Sequence, residues 1–458
     1  MTERWWWKIL LAALLALPAV ALRLAGAALP PLAGAAVYGS AVVASAFLMC
    51  WAAEAVQRDL SASLATAILA LIAVLPEYAV DIYFAWSSGT VPGHARFAAA
   101  NMTGSNRLLL GLGWPLVLLM LVVWGRRTGQ PVTAAEIQPS RRVELAFLGL
   151  ASLYALSFPL RGGIHWIDGM VLIAIYLFYA LRLTKEERQE PILVGAAARL
   201  GALPWRRRRL ALTLMFLWAA LVVVLSAKPF ADALVDGGRA LGLDEFLLVQ
   251  WVAPLATESP EFLVAALLAL RGEADTALGT LLSSKVNQWT LLVGGLPLAH
   301  VLGGGHGMLP FDARQAEEFW LTSAQTLLGL ALLARLSLRR WEAAALAGLF
   351  LVQFLFPAPG IRLVLAGVYA ILALALLAVR RRELPPLARA LWRGGPMILP
   401  SISGPSPSPA ARSSVGSGPP GAGSGPGRGR TQGPRESPAG PGAPGPPGRR
   451  GGPGTPSS

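Results

Sequence analysis

Cysteine and charged residues are both scarce in this sequence. Cys50 is the single cysteine in 458 residues, so no disulfide can form within the chain. Charged residues make up 14% of the sequence and apolar residues 54%, which is far from the balance of a soluble domain. The ten-residue alternating segments of a transmembrane barrel are missing as well. These absences leave an all-α polytopic membrane protein as the predicted fold class.

Histidine is rare too, and its distribution predicts no metal centre. His94, His165, His300 and His306 are scattered at the ends of predicted spans. The glycine run at 303–307 follows no predicted strand, which argues against a nucleotide-binding loop. The net charge of +14 comes from basic residues between apolar runs and in the C-terminal tail, where the positive-inside rule explains them. Neither a cofactor nor a nucleic-acid partner is therefore expected.

What the sequence has instead is a series of apolar runs, each long enough to cross a bilayer as a helix. They predict spans at about 5–28, 33–56, 60–87, 95–124, 143–160, 164–183, 209–227, 243–270, 275–302, 316–337, 341–357 and 360–380. Assigning alternate loops to alternate sides, with the N-terminus inside, puts about 24 Lys and Arg on the inner side and about 7 outside. This asymmetry predicts a multi-pass protein of the cell (inner) membrane whose termini are both cytoplasmic.

The spans group into segments of different composition. An extra N-terminal helix, or a signal-like segment, is predicted at 1–30. The predicted organisation continues with a first repeat at 31–184, a basic cytoplasmic loop at 185–208, a second repeat at 209–358 and an extra helix at 359–382. Residues 394–458 are mostly Gly, Pro, Ser, Ala and Arg without a strict G-X-Y period, so a disordered C-terminal tail is expected.

The two predicted repeats carry related sequences. The first reads LPEYAVDIYFAW and then FAAANMTGSNRLLLGLGWPL, and the second reads SPEFLVAALLAL and then ALGTLLSSKVNQWTLLVGGLPL. Each is a Pro-Glu span followed by a span with small polar residues and a glycine-rich end. Five spans separate the two starts, and an odd number inverts the second unit relative to the first. Inverted repeats with interrupted helices are typical of secondary transporters, whose site lies at the midplane.

Carboxylates near the middle of these spans point to a cation site. Helical spacing puts Thr257 one turn from Glu261, with Glu258 on the same side, and Glu77 has Asp81 one turn away. A charge at the bilayer centre costs roughly 2.5–3.5 kcal/mol on insertion scales, so such residues indicate function. The neighbouring prolines free backbone carbonyls. Carboxylates, hydroxyls and carbonyls form an all-oxygen set, which suits Ca²⁺, Na⁺ or Mg²⁺.

The following spans add small and polar groups in both halves. These are Asn101, Thr103, Gly104, Ser105 and Asn106, and Thr280, Ser283, Ser284, Asn287 and Gln288. Small residues also permit close helix packing, which is the structural interpretation of the same pattern. Glu54, near the inner end of its span, is expected at the membrane interface.

These motifs resemble those of the sodium/calcium exchanger superfamily of cation antiporters. Each of that family's two repeats carries a motif near G-T-S-x-P-E on one helix and G-N-x-x-G-S-N on the next. The resemblance covers about 33–380 and is most specific in ATESPE, GTLLSSKVNQ and ANMTGSN. It implies about ten core transmembrane helices in two inverted five-helix repeats, with one extra helix at each end lying outside that core.

The resemblance also implies a site. Glu77 and Glu261 match the family's acidic metal ligands, and Thr257, Ser105 and Ser284 match its hydroxyl ligands. Three further residues, Glu258, Asn101 and Gln288, are expected to bind the cation as well. Lys285 and Asp81 are expected to modulate the site.

The chain departs from the family pattern at several positions. Ala73 and Val74 replace the Thr-Ser of the first motif, Glu258 replaces a serine, Lys285 replaces an asparagine, and Arg107 follows GSN directly. Lys285 is interpreted as an ion-pair partner of Glu258, as the occupant of space that a cation uses elsewhere, as a partner in proton exchange, or as a structural snorkelling residue.

The resulting expectation is a secondary-active antiporter, not an enzyme, that exchanges Ca²⁺ or a similar cation for Na⁺ or H⁺ by alternating access. The alternatives are a sodium/proton or other cation/proton exchanger, and a degenerate non-transporting homologue acting as a sensor or scaffold. An intramembrane hydrolase using Glu258 and Glu261 as an acid/base pair lacks a recognisable nucleophile. The expected partners are the lipid bilayer and small inorganic cations, and the sequence leaves the oligomeric state open.

Overall fold

The computed structural model describes residues 6–56, 58, 75–91, 93–183 and 192–392. All of these belong to one unit, Met1–Met397. The predicted disordered tail at 394–458 and the first part of the predicted span at 60–87 lie outside the described residues.

The N-terminal helices and the first repeat account for the first half of the described residues. They comprise α1 (Trp6–Leu15), α2 (Leu17–Leu24), α3 (Pro31–Val56), α4 (Leu75–Ser87), α5 (His94–Leu108), a π-helical turn (Leu109–Gly113), α6 (Trp114–Thr128), β1 (Ala134–Glu136), a 3₁₀ turn (Pro139–Arg141), α7 (Arg142–Ala155), α8 (Ser157–Arg161), β2 (Gly163–His165) and α9 (Trp166–Leu183).

The second repeat follows with the same order of elements. It is preceded by α10 (Gly195–Gly201) and comprises α11 (Trp205–Leu241), α12 (Glu245–Ala269), α13 (Ala274–Asn287), a π-helical turn (Gln288–Leu292), α14 (Val293–Leu302), β3 (Met308–Pro310), α15 (Ala313–Leu333), β4 (Ser337–Arg339) and α16 (Arg340–Leu355). The chain then continues through α17 (Pro359–Val379), a 3₁₀ turn (Arg381–Glu383) and α18 (Leu384–Ala390).

The helices agree with the predicted all-α polytopic architecture. Among the described residues, 8 helical stretches are long and apolar enough to cross a membrane. The other predicted spans are also helical where they are described, but they are shorter or more polar. Large apolar side chains remain exposed on the outer helices, such as Leu217, Val224 and Leu374. In a polytopic protein, such side chains contact lipid.

The basic loop predicted at 185–208 differs from what the structure shows. It contains α10, and Arg206–Arg209 belong to the first turns of α11 rather than to a loop. The helix α11 also runs 37 residues to Leu241, well beyond the predicted end of its span at 227. At 1.5 Å per residue it is about 55 Å long, so it extends past a hydrocarbon core of about 30 Å. The charged residues on either side of 209–227 were predicted to lie in loops, but they belong to the same helix.

Two short sheets show that the repeats are inverted. The strand β1 follows the third span of the first repeat and pairs antiparallel with β4, which follows the fourth span of the second repeat. The strand β2 follows the fourth span of the first repeat and pairs with β3, which follows the third span of the second. Within one repeat, the segment after the third span and the segment after the fourth span lie at opposite ends of the fourth span. Each sheet joins the segment after the third span of one repeat to the segment after the fourth span of the other. Both sheets can form only if the two repeats have opposite orientations.

Side-chain caps and close helix contacts define the helix ends and crossings of the second repeat. Asp312 accepts a hydrogen bond from the Gln315 amide while the Gln315 side chain accepts from the Asp312 amide, which forms a capping box at the start of α15. Asp244 caps α12 through the Phe246 amide. The extra helix α17 packs along α15, so it is attached to the second repeat.

Candidate functional site

The helices α5 and α12 cross with their backbones in direct contact. Gly104 of α5 faces the carbonyl oxygen of Gln250, and any Cβ at position 104 would overlap that oxygen. Pro254 lies four residues after Gln250 and has no N–H to donate to this carbonyl. The glycine and the proline together bring the polar residues of α5 close to those of α12, as small-residue contacts do in membrane bundles.

The amide of Gln288 joins the carboxylates of the two repeats. Its nitrogen donates to Glu77 Oε2 at 3.0 Å and also donates to Glu258 Oε1. Glu77 lies on α4, Glu258 lies on α12, and Gln288 opens the π-helical turn after α13. All three side chains are buried. The structure therefore brings three predicted site residues from three different helices into one hydrogen-bonded cluster.

The other oxygen atoms of this cluster are buried and accept no hydrogen bond from the described residues. They are Glu77 Oε1, Glu258 Oε2, Gln288 Oε1, Glu261 Oε2, Asp81 Oδ2, Asn101 Oδ1 and Ser105 Oγ. Buried polar atoms in proteins nearly always have a partner, so a group of unpartnered acceptors needs an explanation. Oxygen ligands from carboxylates, amides and hydroxyls are what hard cations prefer. The donor set therefore fits a cation as the bound substrate.

Further predicted residues extend the cluster along α4 and α12. Asn101 donates to Asp81 at 2.8 Å, and both side chains are fully buried. The Thr257 hydroxyl donates to its own helix, to the carbonyls of Ala253 and Pro254. Because the hydroxyl proton points to the backbone, the lone pairs of the Thr257 oxygen remain available to a cation.

Not every predicted ligand enters the hydrogen-bonded cluster to the same extent. Ser105 lies against the Glu77 carboxylate, whereas Ser284 is only half-buried. Within the described part of the chain, no three His, Cys, Asp or Glu side chains come close enough to hold a metal ion by themselves. The predicted pair of acidic metal ligands, Glu77 and Glu261, therefore needs amide, hydroxyl or backbone oxygens to complete a coordination shell.

Lys285 is buried in the interior, with its ammonium group bonded to α5. Its Nζ donates to the Asn106 backbone oxygen at 2.8 Å and to the Asn106 side-chain oxygen at 3.2 Å. It also lies 5.9 Å from the centroid of the Trp289 ring. The side chain is 0% exposed, so it does not snorkel to an interface, and its hydrogen bonds go to Asn106 rather than to Glu258. The Lys285 amine thus lies about one helical turn before Gln288 and is held by α5.

Arg107 directs its charge away from the cluster. Its guanidinium pairs with Glu318 of α15 at 2.5 Å and donates to Gln353 of α16 at 3.4 Å. Glu318 is also within 3.6 Å of Arg362 on the extra helix α17. Neither Glu318 nor Arg362 is predicted from the sequence as a partner of Arg107. The sequence does show that Arg107, Glu318 and Arg362 all lie inside predicted spans. Charged residues at such positions usually pair with one another.

Glu54, expected at the membrane interface, lies two residues before the end of α3 and is partly buried. It accepts a hydrogen bond from the Cys50 thiol at 3.6 Å, and its other oxygen is buried without a partner among the described residues.

The π-helical turns occur at equivalent places in the two repeats. One follows α5 and the other follows α13, and each comes directly after the small polar segment of its repeat. π-helical turns inside α-helices are frequent at functional sites, because the wider turn shifts the backbone and re-aims side chains. Gln288 is the first residue of the second turn, which places its amide between the two carboxylates.

Known proteins are similar to this chain in sequence and in fold. Residues 31–185 and 211–358 match the family described as sodium/calcium exchanger protein. The chain belongs to this family. The solved structure of an H⁺/Ca²⁺ exchanger CAX is 40% identical with a TM-score of 0.80, and the match covers 85% of this chain and 98% of that chain. The family confirms the resemblance identified from the Pro-Glu motifs, and it confirms an integral membrane protein of the exchanger type.

Two more distant proteins also match. The structure of native YfkE is 16% identical with a TM-score of 0.58 over 78% of this chain and 99% of that chain, which shows a shared fold. The putative antiporter CaxA of Alkalimonas amylolytica is 28% identical over 147 residues. This alignment covers 31% of the present chain and 44% of CaxA, so the chain spans less than half the length of that curated relative.

Proposed function

We propose that this protein is a secondary-active antiporter that exchanges Ca²⁺ for H⁺ across the membrane by alternating access. One observation carries the proposal: the Glu77 and Glu258 carboxyl groups of opposite repeats share the Gln288 donor, while their other oxygens are buried without a donor among the described residues. Buried polar oxygens without a partner are costly. A transported cation would satisfy these oxygens, and its departure would leave sites for protons.

The inverted repeats supply the conformational change. Each repeat contributes one Pro-Glu helix and one helix with a π-helical turn to the same central site. Two units of opposite orientation around one site can expose it to either side by rocking against each other. In this mechanism Glu77 and Glu261 act as acidic ligands, and Thr257, Ser105 and Ser284 supply hydroxyl oxygens. Lys285, held by Asn106, acts as a modulating residue beside the site.

Protons are favoured over Na⁺ as the counter-ion. Each bound Na⁺ needs its own shell of oxygen ligands, whereas a proton needs a single carboxylate oxygen. The hydroxyl ligands of the first family motif are replaced here by Ala73 and Val74, and Glu258 adds a carboxylate in the second. The CAX protein that is 40% identical is described as an H⁺/Ca²⁺ exchanger. Compared with the family motif, this chain therefore offers fewer neutral oxygens for Na⁺ and one more carboxylate that can take a proton.

Ion flux in proteoliposomes tests the proposal directly. Ca²⁺ uptake is measured with a pH gradient and with a Na⁺ gradient, each imposed alone. We expect uptake that the pH gradient drives and the Na⁺ gradient does not. Uptake driven only by Na⁺ would replace H⁺ by Na⁺ as the counter-ion, and saturable Ca²⁺ binding without flux under either gradient would support a non-transporting sensor.

A charge-neutralising variant tests the site itself. Glu261→Gln removes one carboxylate while preserving side-chain size, and we expect it to abolish Ca²⁺-dependent antiport while the protein still inserts. Glu136→Gln is the matched control, because Glu136 is exposed on β1. Transport at the wild-type rate by the Glu261→Gln variant would remove Glu261 from the mechanism.

A further inference from the structure

Arg362 is a buried cation on the extra helix α17 that the proposed central site does not use. It lies outside the residues 31–185 and 211–358 that match the exchanger family. Charged side chains within membrane spans are costly, and they pair with other polar groups or serve the protein's function. The partners of Arg362 therefore indicate what the extra helix contributes.

Arg362 contacts two adjacent carboxylates on α15. Its guanidinium donates to Glu317 Oε2 at 2.9 and 3.2 Å, and its Nε lies 3.6 Å from Glu318 Oε1. The other oxygen of the buried Glu318, Oε2, pairs with Arg107 at 2.5 Å. Glu318 therefore lies between two guanidinium groups, with one at each carboxylate oxygen, and this chain of charges connects α17 to α5.

Arg107 is also held by residues of other helices at the end of α5. Its guanidinium donates to Gln353 of α16 at 3.4 Å and lies 4.9 Å from the centroid of the Trp251 ring of α12. Its backbone oxygen accepts a hydrogen bond from Gln325 of α15 at 3.4 Å. The side chain and the backbone of Arg107 thus fix the end of α5 against α12, α15 and α16.

The fixed end of α5 is close to oxygens of the proposed cation site. With a rise of 1.5 Å per residue, Arg107 lies about 3 Å along the helix from Ser105 and about 9 Å from Asn101. Ser105 Oγ and Asn101 Oδ1 are both buried without a partner among the described residues. Between them, Gly104 contacts the Gln250 carbonyl so closely that no Cβ fits. Because a segment packed this tightly transmits displacement, a shift at Arg107 moves the site oxygens as well.

We propose that Arg362 is a positioning residue for the cation site, acting through Glu318 and Arg107. By orienting the Glu318 carboxylate, Arg362 keeps Arg107 in place and so fixes where α5 presents its site oxygens. Without Arg362, one Glu318 oxygen loses its cation, the carboxylate is free to turn, and Arg107 is held less firmly. This inference rests on the proposed function and gives the extra helix a role in ion binding.

Glu317 offers a matched control for this role. Glu317→Gln removes the shorter of the two ion pairs between α15 and α17, and it leaves the contact of Arg362 with Glu318 in place. Both Glu317→Gln and Arg362→Gln loosen the attachment of α17, so both should lower the midpoint of thermal unfolding in detergent. Only Arg362→Gln interrupts the chain of charges that reaches α5, so only this variant should change the affinity for Ca²⁺.

The test measures equilibrium binding of ⁴⁵Ca²⁺ to the purified full-length protein and ⁴⁵Ca²⁺ exchange per inserted protein in proteoliposomes. We expect Arg362→Gln to raise the half-saturating Ca²⁺ concentration by about tenfold, within the range that substitutions in side-chain networks produce. The maximal exchange rate should stay close to that of the wild type, and Glu317→Gln should keep wild-type affinity. Arg362→Lys should be intermediate, because a single ammonium cannot serve two carboxylates as a planar guanidinium does.

The possible results separate this inference from the proposed function. Wild-type affinity in a less stable Arg362→Gln protein would overturn the inference, because Arg362 would then only attach α17. An equal loss of affinity in Glu317→Gln would also overturn it. If the wild type binds Ca²⁺ but does not exchange it, the proposed transport fails, while weaker binding by Arg362→Gln still supports the inference. If the wild type binds no Ca²⁺, both fail. If Arg362→Gln does not insert, wild-type affinity in Arg362→Lys would overturn the inference.

Discussion

The Gln288 amide nitrogen lies 3.0 Å from Glu77 Oε2 and also donates to Glu258. This contact connects residues 211 positions apart in the chain, and it joins the acidic helices of the two inverted repeats. A single amide with two N–H groups can serve two carboxylates at once. It therefore holds together two buried carboxyl groups from opposite repeats.

Replacing Gln288 by Leu should impair transport. The variant removes the donor shared by Glu77 and Glu258, and hydrogen bonds to charged groups contribute about 1.5–3 kcal/mol each. We expect the Ca²⁺ flux per inserted protein in proteoliposomes to fall by tenfold or more, since 1.4 kcal/mol already corresponds to about tenfold. Gln130→Leu, at an exposed residue of the α6–β1 loop, is the control. Equal flux in both variants would contradict a role for the shared amide.

Replacing Lys285 by Met should destabilise the protein. The change removes both hydrogen bonds to Asn106 and leaves its buried backbone and side-chain oxygens without this donor. An unsatisfied buried acceptor costs about 1–3 kcal/mol. We expect a lower midpoint of thermal unfolding in detergent. Lys8→Met, at an exposed position of α1, should leave the midpoint unchanged. A Lys285→Met protein as stable as wild type would show that the ammonium is not a structural partner of Asn106.

Breaking the Arg107–Glu318 pair should cost more than breaking an exposed pair. Arg107 and Glu318 are about 1–2% exposed, and removing one partner of a buried pair typically costs about 3–5 kcal/mol. Arg239 and Asp236 are more than half exposed, so Asp236→Asn should cost no more than about 1 kcal/mol. Denaturant unfolding of Arg107→Gln and Asp236→Asn in detergent measures the difference. Similar losses in the two variants would contradict the buried network.

Disulfide trapping should reveal the inversion of the repeats. Glu136 lies opposite Ser337 in the β1–β4 sheet, and His165 lies opposite Met308 in the β2–β3 sheet; neither pair is fully buried. Opposed residues of antiparallel strands are about 4.5–5.5 Å apart between Cα atoms, which a disulfide can bridge. In a Cys50→Ala background, we expect each pair to cross-link when both of its members are replaced by Cys.

The two cross-links should form from opposite sides of the membrane. A membrane-impermeant oxidant should close one pair in right-side-out vesicles and the other pair in inverted vesicles. The single-cysteine variants serve as controls and should give no intramolecular cross-link. Closure of both pairs from the same side would contradict the inverted arrangement.

The sequence alone predicted the class of protein and the main acidic groups. Apolar length fixes which segments cross a bilayer, because every backbone polar group inside lipid must bond within its own helix. The repeated Pro-Glu and small polar motifs were enough to identify the exchanger family, which the match over residues 31–185 and 211–358 shows. Glu77, Glu258 and Gln288 could be selected because polar groups at mid-membrane are costly and therefore indicate function.

Only the tertiary structure decided which of these groups meet. Gln288 bridges Glu77 and Glu258 because the close crossing at Gly104 and the π-helical turn bring separate helices together. In the same way, Lys285 bonds to Asn106 across two helices. Hydropathy and helical spacing describe one helix at a time. The partner of a buried charge depends on how helices cross, and that is set by packing between residues far apart in the sequence.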